Sequence, residues 1–298
     1  MDRTGSSRGN SVEEASHHWA AVNGTELHYV TAGASGSPIL LVHGFPESWW
    51  AFHRVIPLLA RRHRVVAVDL RGFGDSRVAE EDHSSAVAAD DLHELVAHLG
   101  LGPVHLLAQD ISGGTAYRLA AGHPEDVRSL TAVEMGLAGF GLEGFADVTS
   151  GGSWHIGVLA APGGIADLLL SGHERELLGT WAFPTMTAVD GAVGDDDLDE
   201  LARGYARAGG WRGAQGLYRS MLTEGDELRT SASRRLLEVP ALAVGGSGGA
   251  FTAGTVSQVV AGPVASVQLD GVGHHVALEA PEALADALLG FLAEVDAR

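Results

Sequence analysis

Six short apolar runs constrain this chain more than any other feature: SPILLVHG, RVVAVDL, VHLLAQD, RSLTAVE, PALAVGG and ASVQLDG. Most are continuous rather than alternating in polarity, as strands buried on both faces must be. Helical spacing fills the gaps. Leu92, Leu95, Val96 and Leu99 recur on one face and Gly100 closes that segment; Leu284, Leu288, Phe291 and Leu292 mark a last helix. WWAFHRVIPLLARR reads as a further helix, with Pro57 early in it or bending it. HHWAAV and TELHYVTA, joined at Asn23-Gly24, predict a hairpin ahead of these runs. The alternation predicts an α/β fold, a mostly parallel central sheet flanked by helices on both faces.

The pattern breaks once. Residues 138–232 carry Gly-rich joints, the acidic run Asp195 to Asp197 and helical segments such as IADLLL and LDELARGYARA, without a strong β run. They are expected to form a helical cap over the carboxyl ends of the strands, where open α/β sheets place ligands. Residues 18–137 and 233–298 then form the core, and residues 1–17 a flexible tail. The formal charge of −19, with no lysine, argues against nucleic acid and anionic membranes as partners. Without cysteine there is no thiolate chemistry and no cysteine-built zinc site. No metal or cofactor is expected. No apolar stretch approaches a membrane span and the N-terminus has no signal-peptide core, so the expected compartment is the cytoplasm. The oligomeric state stays open, with a homodimer held in view.

Three short motifs carry chemistry. In AQDISGG, Asp110 sits between a buried strand and a helix, flanked by the small residues Ala108 and Ser112. A strained turn of this kind pushes its central side chain out at the sheet edge, beside a helix N-terminus; the plain alternative is that Asp110 caps the helix. HGFP at 43–46 follows the preceding strand and brings the Phe45 N–H to the same edge, where with the Ile111 N–H it would form an oxyanion hole. Gly273-His274-His275 follows the last strand and supplies a base, with His274 preferred.

Together with the DLRGFGDS run at 69–76 and GHHVALEAPE, these motifs resemble the α/β-hydrolase superfamily, in its branch of epoxide hydrolases and fluoroacetate dehalogenases. The resemblance implies the α/β-hydrolase fold and an alkyl ester on Asp110, hydrolysed by water that His274 activates. Many relatives place the third triad member after the strand matching PALAVGG. Here GGSGGAF has no carboxylate, so the role falls to Glu134, after the previous strand.

The resemblance also implies how substrates divide. Epoxide hydrolases hydrogen-bond the ring oxygen from two cap residues. Tyr218 matches one; His155 stands where the other tyrosine is usual, with Trp154 beside it as the rival donor. Trp154, Trp181, Phe183 and Tyr218 suggest a large, aromatic-lined pocket. A haloalkane dehalogenase usually has Trp after its nucleophile, and a fluoroacetate dehalogenase has arginines there to clamp a carboxylate. Ile111 and Gly114 occupy those places. The expected reaction is therefore water opening a small-molecule epoxide to a vicinal diol. Dehalogenation of a small organohalide by the same Asp is the alternative, and a non-catalytic ligand-binding scaffold is the alternative of another class.

Overall fold

The computed structural model describes residues 3–4, 12, 15–80 and 82–298. Among the described residues nine strands form one sheet: Arg3–Thr4 (β1), Ser16–Val22 (β2), Thr25–Ala32 (β3), Pro38–Val42 (β4), Arg64–Val68 (β5), Val104–Gln109 (β6), Val127–Val133 (β7), Ala241–Gly245 (β8) and Val264–Gln268 (β9). Their order is β1-β2-β3-β5-β4-β6-β7-β8-β9. Pairings among β4 to β9 are parallel, and the three pairings outside them are antiparallel. The six apolar runs are β4 to β9.

The runs of β4 to β8 are continuous because both faces are covered, whereas β9, at the sheet edge, is largely exposed. In β4, Ile39 and Leu41 join one core with Trp49, Ile56, Leu59, Leu284 and Leu288. Leu40 and Val42 join the other with Leu92, Leu95, Val96 and Leu119. Side chains that alternate between faces thus find apolar partners at every position. Among the described residues no helix is long and apolar enough to cross a membrane.

Three expectations are corrected. The strand expected from His18 begins at Ser16, and His17 within it is buried and bonds His28. Arg3–Thr4 pairs with β2, so the tail is not unstructured throughout; its other residues, apart from Val12 and Ala15–His17, lie outside those described. The expected WWAFHRVIPLLARR helix is two short pieces, the 3₁₀ turn Trp49–Phe52 and the single α-turn Ile56–Leu59. Pro57 sits in the first turn of the second piece, where its missing N–H costs nothing.

Between β7 and β8 the chain is helical, from Leu142–Ala146 to Gly225–Arg234. One helix there, Glu174 to Met186, widens into a π-turn at Leu178–Ala182, with the Phe183 N–H donating to the Leu178 carbonyl. Pro184 explains the widening: its ring would clash with a carbonyl four residues back in a regular helix. Because β5 and β6 lie on opposite sides of β4, the winding reverses at β4. The turns after β4, β6, β7 and β8 therefore meet at the carboxyl edge, around a crevice suited to a ligand.

Candidate active site

Asp110 follows β6 with φ +53°, a left-handed backbone that aims its carboxylate out of the sheet. It does not act as a cap. Ser112 closes the turn instead, donating from Oγ to the Gln109 carbonyl at 2.7 Å. The Phe45 N–H donates to Asp110 Oδ2 at 2.9 Å, and the Ile111 N–H also bonds the carboxylate. Gly44 makes this approach possible: a Cβ there would lie 2.5 Å from the Asp110 Cβ. Burial disfavours the anion, but the His274 bond and the two N–H groups outweigh it and hold the Asp110 pKa below the ordinary carboxylate value.

His274 lies between two carboxylates. Its Nε2 is 3.4 Å from Asp110 Oδ1 and its Nδ1 is 3.2 Å from Glu134 Oε2. Glu134 follows β7, also in a left-handed conformation, with φ +47°. The Gly248 N–H donates to both its oxygens, at 2.9 and 3.0 Å. A Cβ on Gly248 would fall 2.5 Å from Glu134 Oε2. The glycines of GGSGGAF thus leave the room that the Glu134 carboxylate fills. For His274, burial opposes the imidazolium, but bonding and attraction to Asp110 and Glu134 prevail and raise the pKa to about 10. At neutral pH the resting site is therefore a cation held by two anions.

Sequence reasoning missed the supports beneath these residues. Glu47 and His275 are fully buried and bonded, Glu47 Oε1 to His275 Nδ1, at 2.9 Å. Gln109 Nε2 donates to the same oxygen at 2.7 Å, and the Gly44 N–H donates to Glu47 Oε2 at 3.1 Å. One carboxylate thereby ties together the loops that carry Phe45, Asp110 and His274. Glu279 does similar work, accepting from the N–H groups of Gly273, His275, Ala188 and Val189. The adjacent pair His274-His275 gave no hint of this division, in which one ring faces the crevice and the other the interior. Glu47→Ala would strip an acceptor from three buried donors, at about 1–3 kcal/mol each. A thermal-melt midpoint lowered by about 5–10 °C is the expected result, and an unchanged midpoint would contradict the role assigned to Glu47.

Across a cavity of about 760 Å³ from Asp110 lie the side chains of the helical segment. Tyr218 Oη and His155 Nε2 are 2.9 Å apart and both are buried. Burial, and then the nearby Asp110 charge, push the Tyr218 phenol well above its ordinary pKa. Burial likewise lowers the His155 pKa to about 4, so both groups are neutral at pH 7. The Phe45 ring stacks on His155 at 5.4 Å and meets Tyr218 edge-on at 5.3 Å. Trp154 is instead 40 % exposed and packs on Trp181 at 4.6 Å. Of the two rival donors, His155 is thus the one bonded to Tyr218. Trp154, Trp181, Ile111, Phe145 and Phe251 supply apolar wall, and among the described residues no arginine lines the cavity. Arg118 is held elsewhere by Glu224 and Glu227.

Among the described residues, His93, His123 and Asp126 are the one group able to gather three metal ligands, with atoms within 4.8 Å of one another. They lie at the far end of the helix Gly113–Gly122 from Asp110. The two rings are stacked at 3.6 Å and nearly parallel. A direct His93–Asp126 bond of 2.6 Å already satisfies the cluster.

The family defined by the alpha/beta hydrolase fold matches residues 37–173. A soluble epoxide hydrolase of Corynebacterium sp. (strain C12) is 32 % identical over 94 % of this chain and 98 % of its own length. A fluoroacetate dehalogenase of Burkholderia sp. is 30 % identical over 88 % of this chain and 89 % of its own. The solved epoxide hydrolase CorEH, without ligand, superposes with a TM-score of 0.84 at 30 % identity, covering 95 % of this chain and all of that one. The chain belongs to the α/β-hydrolase family, in its branch of epoxide hydrolases and fluoroacetate dehalogenases, and is a hydrolase of epoxide or organohalide type.

Proposed function

We propose that the enzyme opens an uncharged epoxide to a vicinal diol through an ester on Asp110. The observation that carries this reading is the neutral Tyr218–His155 pair facing Asp110 across a mainly apolar cavity that, among the described residues, no guanidinium lines. A haloacid would need its carboxylate neutralised, and Asp110 and Glu134 would repel it. A ring oxygen needs hydrogen-bond donors, which a phenol and an imidazole provide.

Asp110 Oδ2 is engaged by the Phe45 N–H, so Oδ1 attacks the ring carbon. The carbon–oxygen bond breaks and the ring oxygen takes the Tyr218 proton. Esterification removes the Asp110 charge and its bond to His274. The His274 pKa must then fall, and its proton passes by way of solvent to the Tyr218 phenolate. Neutral His274, oriented by Glu134, next accepts a proton from water as hydroxide adds to the ester carbon. The N–H groups of Phe45 and Ile111 hold the resulting oxyanion. Collapse breaks the ester carbon–oxygen bond, the departing alkoxide takes the proton of the new Asp110 carboxyl group to give the diol, and anionic Asp110 and protonated His274 are again an ion pair. The high resting pKa of His274 is thus compatible with its later work as a base. Residues 138–232 act in this reading as the cap that supplies Tyr218 and His155, and the core of 18–137 and 233–298 supplies Asp110, Glu134 and His274.

The test is a side-by-side panel of neutral epoxides and haloacids, with diol and halide both measured. Diol from the epoxides, with halide at background, is expected. Faster halide release from haloacids than diol formation would overturn the epoxide assignment in favour of dehalogenation.

A further inference from the structure

Ser153 immediately precedes the helix Trp154–Ala160 and occupies its N-cap position, where a serine normally bonds a backbone N–H of the first turn. Its side chain makes no such bond. The hydroxyl turns instead to His155 Nδ1, at 2.6 Å. Its backbone is fixed, because the Ser153 N–H donates to the Phe145 carbonyl at 2.7 Å. A capping residue has been diverted to a ring whose other nitrogen bonds Tyr218. Ser153, His155 and Tyr218 therefore form a chain of three groups ending in the cavity.

A neutral imidazole carries one N–H, and its partners decide which nitrogen bears it. Two directions are open to the chain. In one, Tyr218 donates to Nε2 and Nδ1–H donates to Ser153; the Tyr218 proton is then spent and only oxygen lone pairs face a ligand oxygen. In the other, the Ser153 hydroxyl donates to Nδ1, Nε2–H donates to Tyr218 Oη, and the Tyr218 proton is free for the cavity. We infer that Ser153 is a positioning residue that holds His155 as the Nε2–H tautomer when an oxygen ligand is bound, so that Tyr218 presents its proton to the ring oxygen. This rests on the reading of Tyr218 as proton donor to the epoxide. The same Nε2–H bond stabilises the phenolate once the proton has left. His155 is neutral at working pH, as a ring that chooses between tautomers must be.

The test uses the whole protein labelled with ¹⁵N at histidine and saturated with an unstrained cyclic ether, which binds as an acceptor and is not opened. His155 is expected to carry its proton on Nε2; a proton on Nδ1 in that complex overturns the inference. This spectrum does not depend on turnover, so with Ser153→Ala recorded beside the wild type it decides the role of Ser153 even if no epoxide is hydrolysed, which would sink the functional reading instead. Kinetics give the second arm. Ser153→Ala should lower kcat about tenfold, part of what a general acid contributes, with KM little changed, and Ser153→Thr should restore it. In a Tyr218→Phe background the Ser153→Ala effect should vanish, because Ser153 acts through Tyr218. An equal loss in both backgrounds, or wild-type kcat in Ser153→Ala, would count against the inference.

Discussion

Asp110→Asn should abolish turnover, by a factor on the order of 10⁴ or more, while the protein melts near the wild-type temperature. The size follows from the chemistry: an amide is not a nucleophile toward a saturated carbon, and among the described residues no other carboxylate lies on both the oxyanion donors and the cavity. Glu134 is turned away, its two oxygens held by the Gly248 N–H and His274. Asparagine is the right substitute because it is isosteric and tolerates the left-handed backbone at φ +53°. Steady-state assays beside a thermal melt read the two effects separately. Activity within tenfold of wild type would remove Asp110 from the chemical step.

His274→Gln is expected to stop the reaction halfway. Ring opening needs Asp110 and the Tyr218–His155 pair, whereas ester hydrolysis needs a base. The variant should release almost no diol but gain the mass of one substrate per chain, visible by intact-protein mass spectrometry. An unchanged mass after exposure to a substrate that the wild type consumes would contradict the role of His274. The pH dependence has a definite sign. Folding raises the His274 pKa from 6.5 to about 10. Its contribution to stability is therefore fully present below about pH 6.5 and is lost as pH rises through about 10. The stability difference between wild type and His274→Gln should shrink over that window. The ester-hydrolysis step of the wild type should titrate below the resting value, because alkylation has by then cancelled the Asp110 charge.

The sheet was legible because β4 to β8 are buried on both faces and so written as unbroken apolar runs. The meeting of Asp110, Glu134 and His274 was legible because strand-ending turns advertise themselves: small residues around Asp110, glycine before His274, and the empty GGSGGAF that pointed back to Glu134. The supports were not legible. Glu47 and His275 are 228 positions apart, and nothing local says that their side chains meet in the interior. Nothing in the sequence marked Ser153, and its bond to His155 appears only once the helix is placed. The choice between Trp154 and His155 turned on which ring the first turn of Trp154–Ala160 directs inward, where neighbours in sequence differ by about 100°. The π-turn that seats Trp181 beside His155 had a visible cause in Pro184, yet helical spacing alone did not reveal it.

The central claim is that the oxygen added to the substrate comes first from Asp110 and only later from solvent. A single turnover with enzyme in excess, in water enriched in heavy oxygen, tests it most directly. The first diol should contain no heavy oxygen, and the label should appear in the carboxylate of Asp110 on peptide mapping. Heavy oxygen in that first diol would contradict the covalent route.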